Sequence, residues 1–158
     1  MGYKFVLSID PGGTNGYCIA SKVSDGDWTI NKVDGVEKHE LYQILETFCI
    51  NQQPKDILVI YEAYRLYASK SKAMIGNEFE TVQIIGVIKY ICEKRGIKFI
   101  DSPTSNKTFW NDKRLKELGL YVPIDHKRDA IRHFLYWLYF TAKEADYRDL
   151  IKSTQRDG

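Results

Sequence analysis

Residues 5–9 (FVLSI) are nearly all apolar, and the run ends on an acid, Asp10. A turn, Pro11-Gly12-Gly13-Thr14-Asn15-Gly16, follows, and a second apolar run over 17–20 returns from it. This reads as a hairpin with a carboxylate inside it. A strand so apolar is covered on both faces, which puts it at the centre of its sheet. Asp10 is then buried or close to it, where an ionised carboxylate is costly without a positive partner. Two readings are open at this point. Either a metal ion sits beside Asp10, or the acid accepts hydrogen bonds from the turn amides, an ordinary role for Asp before Pro-Gly.

The rest of the chain supplies an α/β frame. Residues 28–33 (WTINKV) alternate apolar with polar after Ser24-Asp25-Gly26-Asp27, and predict a third, half-exposed antiparallel strand. Leu41, Ile44, Leu45 and Phe48 predict a helix over 38–50 that ends near Asn51 and Pro54. Residues 56–61 (DILVIY) predict a fourth strand, and Glu62 follows it directly. Residues 63–73 carry Arg65, Lys70 and Lys72 with Tyr64 and Tyr67 and no acid, the composition of an exposed basic, aromatic loop. Phe79, Val82, Ile85, Ile88 and Cys92 predict a long helix over 74–95, stopped by Gly96. Its second apolar row, Ile75, Ile84, Val87 and Ile91, is the expected seam of a homodimer under two-fold symmetry.

Residues 97–100 predict a short fifth strand. Thr104 or Ser105 then caps a helix over 107–118, which carries Lys107, Lys113, Arg114 and Lys116 and stops at Gly119. Asp125 is the expected N-cap of the last helix, whose buried stripe is Ala130, Phe134, Trp137, Leu138 and Thr141. The order predicts a five-stranded mixed sheet, antiparallel over strands 1-2-3 and parallel over 1-4-5, with helices on both faces. Residues 1–145 form one domain in this reading, and residues 146–158 a polar tail that frays.

Composition limits the functional classes. At 158 residues, 44% hydrophobic and 28% charged, the chain is sized for one soluble domain with a sizeable core. A formal charge of +2 does not announce nucleic acid, so any electrostatic footprint must lie in the distribution of charges. Cys18, Cys49 and Cys92 are odd in number and lack metal-ligand spacing. They read as buried free thiols of a reducing cytosol, with no disulfide and no zinc. Met1 leads straight into a strand pattern and no apolar stretch reaches membrane-spanning length, so export and membrane insertion are not expected.

Strands joined through a helix lie parallel, which sets strand four beside strand one and Asp10 within a few ångströms of Glu62. Two acids sharing a buried site repel unless a divalent cation makes both ions favourable. His126, Asp129 and His133 fall at i, i+3 and i+7, one face of the last helix. Together this set could bind two Mg²⁺, or Mn²⁺ given a histidine ligand, in the arrangement that serves phosphodiester hydrolysis. Each member also has a plain alternative. Glu62 could be the solvated end of a strand, His126 first-turn surface, Asp129 the partner of Lys127, Arg128 or Arg132, and His133 a packed histidine. Acids closing two central strands, with a third opening the final helix, are rarely assembled by chance.

Asp10-Pro11-Gly12 with Gly16-Tyr17, Glu62 closing the fourth strand, and His126-Lys127-Arg128-Asp129-Ala130 opening the last helix resemble the RuvC family of Holliday-junction resolvases, most nearly its short phage-borne members. The resemblance spans about residues 3–142. It implies a ribonuclease H-like fold, two divalent metals, a homodimer, and paired nicks in four-way DNA junctions, with other branched DNA as further substrates. It further implies Asp10, Glu62, Asp129 and either His126 or Asp125 as metal ligands, and Lys107 as the basic residue near the scissile phosphate. It also implies action in a bacterial host's cytoplasm. The family's second lysine has no counterpart, Lys113, Arg114 and Lys116 being only near, and the turn after Asp10 is shorter than in cellular members.

A DNA-binding surface follows from charge placement. Lys70, Lys72, Lys107, Lys113, Arg114, Lys116, Lys127 and Arg128 come from segments expected at the carboxylate end of the sheet, with Arg65 beside them. Tyr64 and Tyr67 could stack on bases unpaired at a crossover. Two rivals remain at this stage. A non-catalytic nucleic-acid-binding module would gain by shedding the acids. An actin-like or sugar-kinase ATPase matches the turn at Asp10-Pro11-Gly12-Gly13-Thr14 but needs two such domains.

Overall fold

The computed structural model describes residues 2–63 and 75–143, with side chains from 79 onward in the second span. Tyr64, Arg65, Tyr67, Lys70, Lys72 and the tail from 146 lie outside the described residues.

Five strands form one sheet: β1 (Phe5–Asp10), β2 (Asn15–Ser24), β3 (Asp27–Val36), β4 (Ile57–Glu62) and β5 (Lys98–Ser102), in the order β3-β2-β1-β4-β5. β1 pairs antiparallel with β2 and parallel with β4; β2 pairs antiparallel with β3, and β4 parallel with β5. The expected topology is therefore the observed one, with β1 central. The helices are α1 (Lys38–Asn51), α2 (Ile75–Arg95), α3 (Asn106–Phe109), α4 (Asp112–Glu117) and α5 (Asp125–Tyr136).

Side chains alternate across a strand, and that parity divides the core in two. Leu7, Ile9, Ile57, Val59 and Tyr61 face α1 and α2, where Leu41, Leu45, Ile84, Ile88 and Ile91 cover them. Val6, Leu58 and Ile60 face α5, under Ala130, Ile131, Phe134 and Leu135, with Trp110 and Leu115 closing the layer. Each such side chain contributes about 1.5–3 kcal/mol through burial, so both faces of the central strands are strongly specified. Ser8, on the α5 face, donates from Oγ to the Ala130 carbonyl at 2.7 Å and fastens the helix across β1. The same parity puts Asp10, Glu62 and Ser102 on the α5 face. Cys18, Cys49 and Cys92 are free and buried, and burial pushes their thiols up to about 12, 11 and 12.

Four local expectations are corrected. The helix predicted over 107–118 is two short helices. Trp110, fully buried, breaks the run, and Asn111 restarts it by accepting the Arg114 amide at 3.0 Å as the N-cap of α4. Asp125 does not cap α5; Ile124 holds that position, and Asp125 accepts from Arg128 Nη2. An acid in a helix's first turn still suits the macrodipole. Thr141 is exposed rather than part of the buried stripe. The last turn, Trp137–Thr141, is π-helical, with the Ala142 amide donating to the Trp137 carbonyl at 2.8 Å, so a 3.6-residue phase does not carry through it. Finally, α2 keeps Ile85, Ile88 and Cys92 of its expected stripe in the core, but the row expected to form a dimer seam does not lie outside. Ile84 and Ile91 lie in the core, while Phe79, Val82 and Tyr90 are 62%, 45% and 63% exposed. A helix apolar on two faces fits two phases, and periodicity alone cannot choose between them.

Candidate active site

The site forms where the C-terminal ends of β1 and β4 meet the N-terminal half of α5. Gly16, paired with Asp10 on β2, permits this approach, because a Cβ there would stand 1.9 Å from the His126 carbonyl oxygen. The turn after β1 satisfies itself: the Gly12 amide donates to Asn15 Oδ1 at 3.0 Å, and Asn15 Nδ2 donates to the Val36 carbonyl at 3.2 Å. Asp10 is thus left to face α5. The alternative of a turn-capping aspartate gives way to that of an acid in a shared site.

Asp10, Glu62 and Asp129 each offer an oxygen within 4.8 Å of the others. Lys107, from α3, stands among them, its Nζ 2.9 Å from Asp129 Oδ2 and 3.7 Å from Glu62 Oε1. The outer oxygens have separate partners. Arg132 Nη1 donates to Asp129 Oδ1 at 2.9 Å, His133 Nε2 is 3.4 Å from Glu62 Oε2, and His126 Nδ1 is 3.5 Å from Asp10 Oδ2. His133 is fully buried, and its Nδ1 sits 2.7 Å from both Asn106 Nδ2 and Ser102 Oγ. The Asn106 amide and the Ser102 hydroxyl hold the ring at Nδ1, with Nε2 turned towards Glu62.

The electrostatics follow from burial and crowding. Burial first, then the hydrogen bond to Glu62 and the charges of Glu62 and Asp129, push the Asp10 carboxyl up to about 9, against a smaller pull from Lys107. Burial also pushes Glu62 upward, but hydrogen bonds from His133 and Asp10, together with Lys107, outweigh it and hold that carboxyl at about 2. The pair therefore keeps one proton between the two acids, because both cannot be ionised side by side without added positive charge. Burial would lower the Lys107 ammonium, yet Asp129, Glu62 and Asp10 raise it overall.

The predicted residues separate into two groups. Asp10, Glu62, Asp129 and Lys107 converge, and His126 joins them beside Asp10 with its side chain 46% exposed. Glu62 is not a solvated strand end, for its side chain is only 14% exposed. Away from the acids, Arg114 stacks on the Phe109 ring at 4.1 Å, Lys116 lies over Tyr121 at 4.6 Å, and Lys127 is 3.6 Å from Asp34. Lys113 is exposed on α4. Of the three cations the sequence offered as partners of Asp129, Arg132 is the one that pairs with it; Ser102 and Asn106 were not singled out, and only Ser102 carried a signal, the alternation along β5 beside Glu62.

The donor set fits a divalent cation. It consists of hard carboxylate oxygens, one of them kept protonated for want of positive charge, with an ammonium already drawn in between two others.

No protein-family model matches the chain, and no curated protein matches its sequence. The sheet order, the crossovers and the acids at the ends of the central strands define a ribonuclease H-like fold. Within it, the fold is that of RuvC. Thermus thermophilus RuvC in complex with Holliday junction substrate superposes with a TM-score of 0.63 at 14% identity, covering 91% of this chain and 99% of that one. A second Thermus thermophilus RuvC structure gives 0.60 at 14% identity, over 90% and 98%. The yeast mitochondrial Holliday junction resolvase Ydc2 gives 0.53 at 17% identity, over 98% and 86%.

Proposed function

We propose that this chain is a divalent-metal-dependent endonuclease that resolves four-way DNA junctions by paired nicks, with other branched DNA as further substrates. The observation that carries the reading is the convergence of Asp10, Glu62 and Asp129 around Lys107 at the end of a RuvC-fold sheet. Asp10, Glu62 and Asp129, with His126 beside Asp10, are the residues that would hold the metal. Bound Mg²⁺ or Mn²⁺ supplies charge stabilisation at the phosphate and a water of lowered pKa.

The chain's own groups do the rest. Asp10 would hold the metal as a carboxylate, its proton passing to solvent. With a metal taking over Asp129 and Glu62, Lys107 would offer its half-exposed ammonium to charge developing on the phosphate. His126, the more exposed member, orients the attacking water or takes its proton.

Binding draws on Lys113, Arg114, Lys116 and Lys127, and on Tyr64, Arg65, Tyr67, Lys70 and Lys72 of the segment between β4 and α2. Paired nicks require two sites. The exposed row Phe79, Val82 and Tyr90 on α2 is the surface that supports a homodimer, in place of Ile84 and Ile91, which lie in the core. By the sequence resemblance we assign it to the phage-borne type, acting in the host cytoplasm.

The test is a panel of end-labelled four-way junction, flap and duplex DNA incubated with the protein in Mg²⁺ or Mn²⁺. Symmetric nicks in the junction, with the duplex intact, are expected. Absence of product from every branched substrate in both metals would refute the reading.

A further inference from the structure

Arg132 is a buried arginine that uses all three of its guanidinium nitrogens. Nη1 donates to Asp129 Oδ1 at 2.9 Å, Nη2 to Asp112 Oδ1 at 2.7 Å, and Nε to the Trp110 carbonyl at 2.6 Å; its side chain is 9% exposed. A guanidinium is a rigid planar fork, so three acceptors in three directions fix its plane. Asp129 is thereby held by one oxygen. Its other oxygen, Oδ2, is the one that faces Lys107 and the acid cluster. Trp110 and Asp112 flank the corner between α3, which carries Lys107, and α4, which carries Lys113, Arg114 and Lys116.

We infer that Arg132 is a positioning residue. It pins Asp129 so that a single oxygen, Oδ2, is presented to the cation, and it ties that oxygen to the corner from which Lys107 projects. The inference rests on the metal-site reading above. Two consequences separate positioning from charge. Removing a nearby positive charge alone would make the site more attractive to a cation. Releasing a pinned carboxylate weakens it, because the side chain must then be ordered as the cation binds.

The test uses the full chain with Arg132→Met, and with Arg132→Lys as a variant that keeps the charge and most of the stem without the fork. Mn²⁺ binding without DNA is read by titration calorimetry, and junction affinity without metal and the Mg²⁺ dependence of junction cutting are read alongside. Arg132→Met is expected to weaken Mn²⁺ binding by about 10- to 100-fold and raise the half-saturating Mg²⁺ correspondingly, as loss of a ligand's hydrogen-bond partner does. Junction affinity is expected to stay unchanged, and Arg132→Lys to recover only part of the loss. If Arg132→Met fails to fold, Arg132→Lys decides. Mn²⁺ affinity equal to or tighter than wild type in the variant that folds would overturn the assignment, as would a wild-type chain that binds no Mn²⁺. A wild-type chain that binds Mn²⁺ yet cuts no DNA would refute the nuclease reading alone, leaving the Mn²⁺ comparison to judge Arg132.

Discussion

Gly16 and His126 touch backbone to backbone: a methyl group on Gly16 would lie 1.9 Å from the His126 carbonyl oxygen and 2.9 Å from the Lys127 nitrogen. Neither neighbour is a flexible side-chain tip, so the start of α5 would have to move. Gly16→Ala is expected to cost about 1–3 kcal/mol in urea unfolding, the usual penalty for overpacking. Cutting should suffer more than stability, since displacing His126 and Asp129 by about 1 Å costs about 10²-fold in rate. Junction affinity without metal is the control that should remain.

Lys107 has opposite effects on the two halves of the reaction. Its ammonium neutralises Asp129 and Glu62 in the metal-free protein, competing with a cation for them. Lys107→Met should therefore bind Mn²⁺ more tightly in calorimetry. At saturating metal, its single-turnover cutting should fall by about 10²–10³-fold, the usual loss for one transition-state donor. Equal or weaker Mn²⁺ binding by the variant would contradict this division of labour.

A pH dependence follows from Asp10. Its carboxyl titrates near 3.8 unfolded and near 9 in the fold. The folded chain thus holds the extra proton between those values, and the metal-free protein loses stability from this group as pH rises through that window. Glu62 works the other way, its contribution being present above 4.5 and lost as pH falls towards 2. Metal-free melting curves between pH 6 and pH 9 should decline less for Asp10→Asn than for wild type. Mg²⁺ should also stabilise wild type more at the alkaline end, since binding releases the Asp10 proton. An identical decline in both proteins would remove the proton from Asp10.

How much of this was legible in sequence depended on the kind of signal. Asp10 and Glu62 each close an apolar strand, and the parallel pairing of β1 with β4 follows from the connection, so their meeting could be read without coordinates. Asp129 followed from its i+3 spacing to His126. Arg132 was legible only as one of three candidate partners of Asp129; its other partners, Trp110 and Asp112, sit about 20 residues upstream at a corner hidden by the broken helix. The α2 seam failed for a related reason: Phe79 and Ile84 are both apolar, and only packing against the sheet decides which is buried.

The corrected α2 surface can be tested directly. Phe79→Glu and Tyr90→Glu change exposed side chains and should alter folding stability by no more than about 0.5 kcal/mol. Sedimentation should nevertheless show a dimer for wild type and a monomer for the double variant, with paired nicks replaced by single ones. A double variant that sediments as wild type does would move the dimer contact elsewhere.

Asp10→Asn bears most directly on the central claim. It replaces the acid that joins β1 to the cluster by a neutral group of nearly the same shape, and it removes no apolar contact. With a labelled four-way junction and saturating Mg²⁺, the account predicts undiminished junction binding and no cleavage above background. Cleavage by Asp10→Asn at the wild-type rate would contradict it.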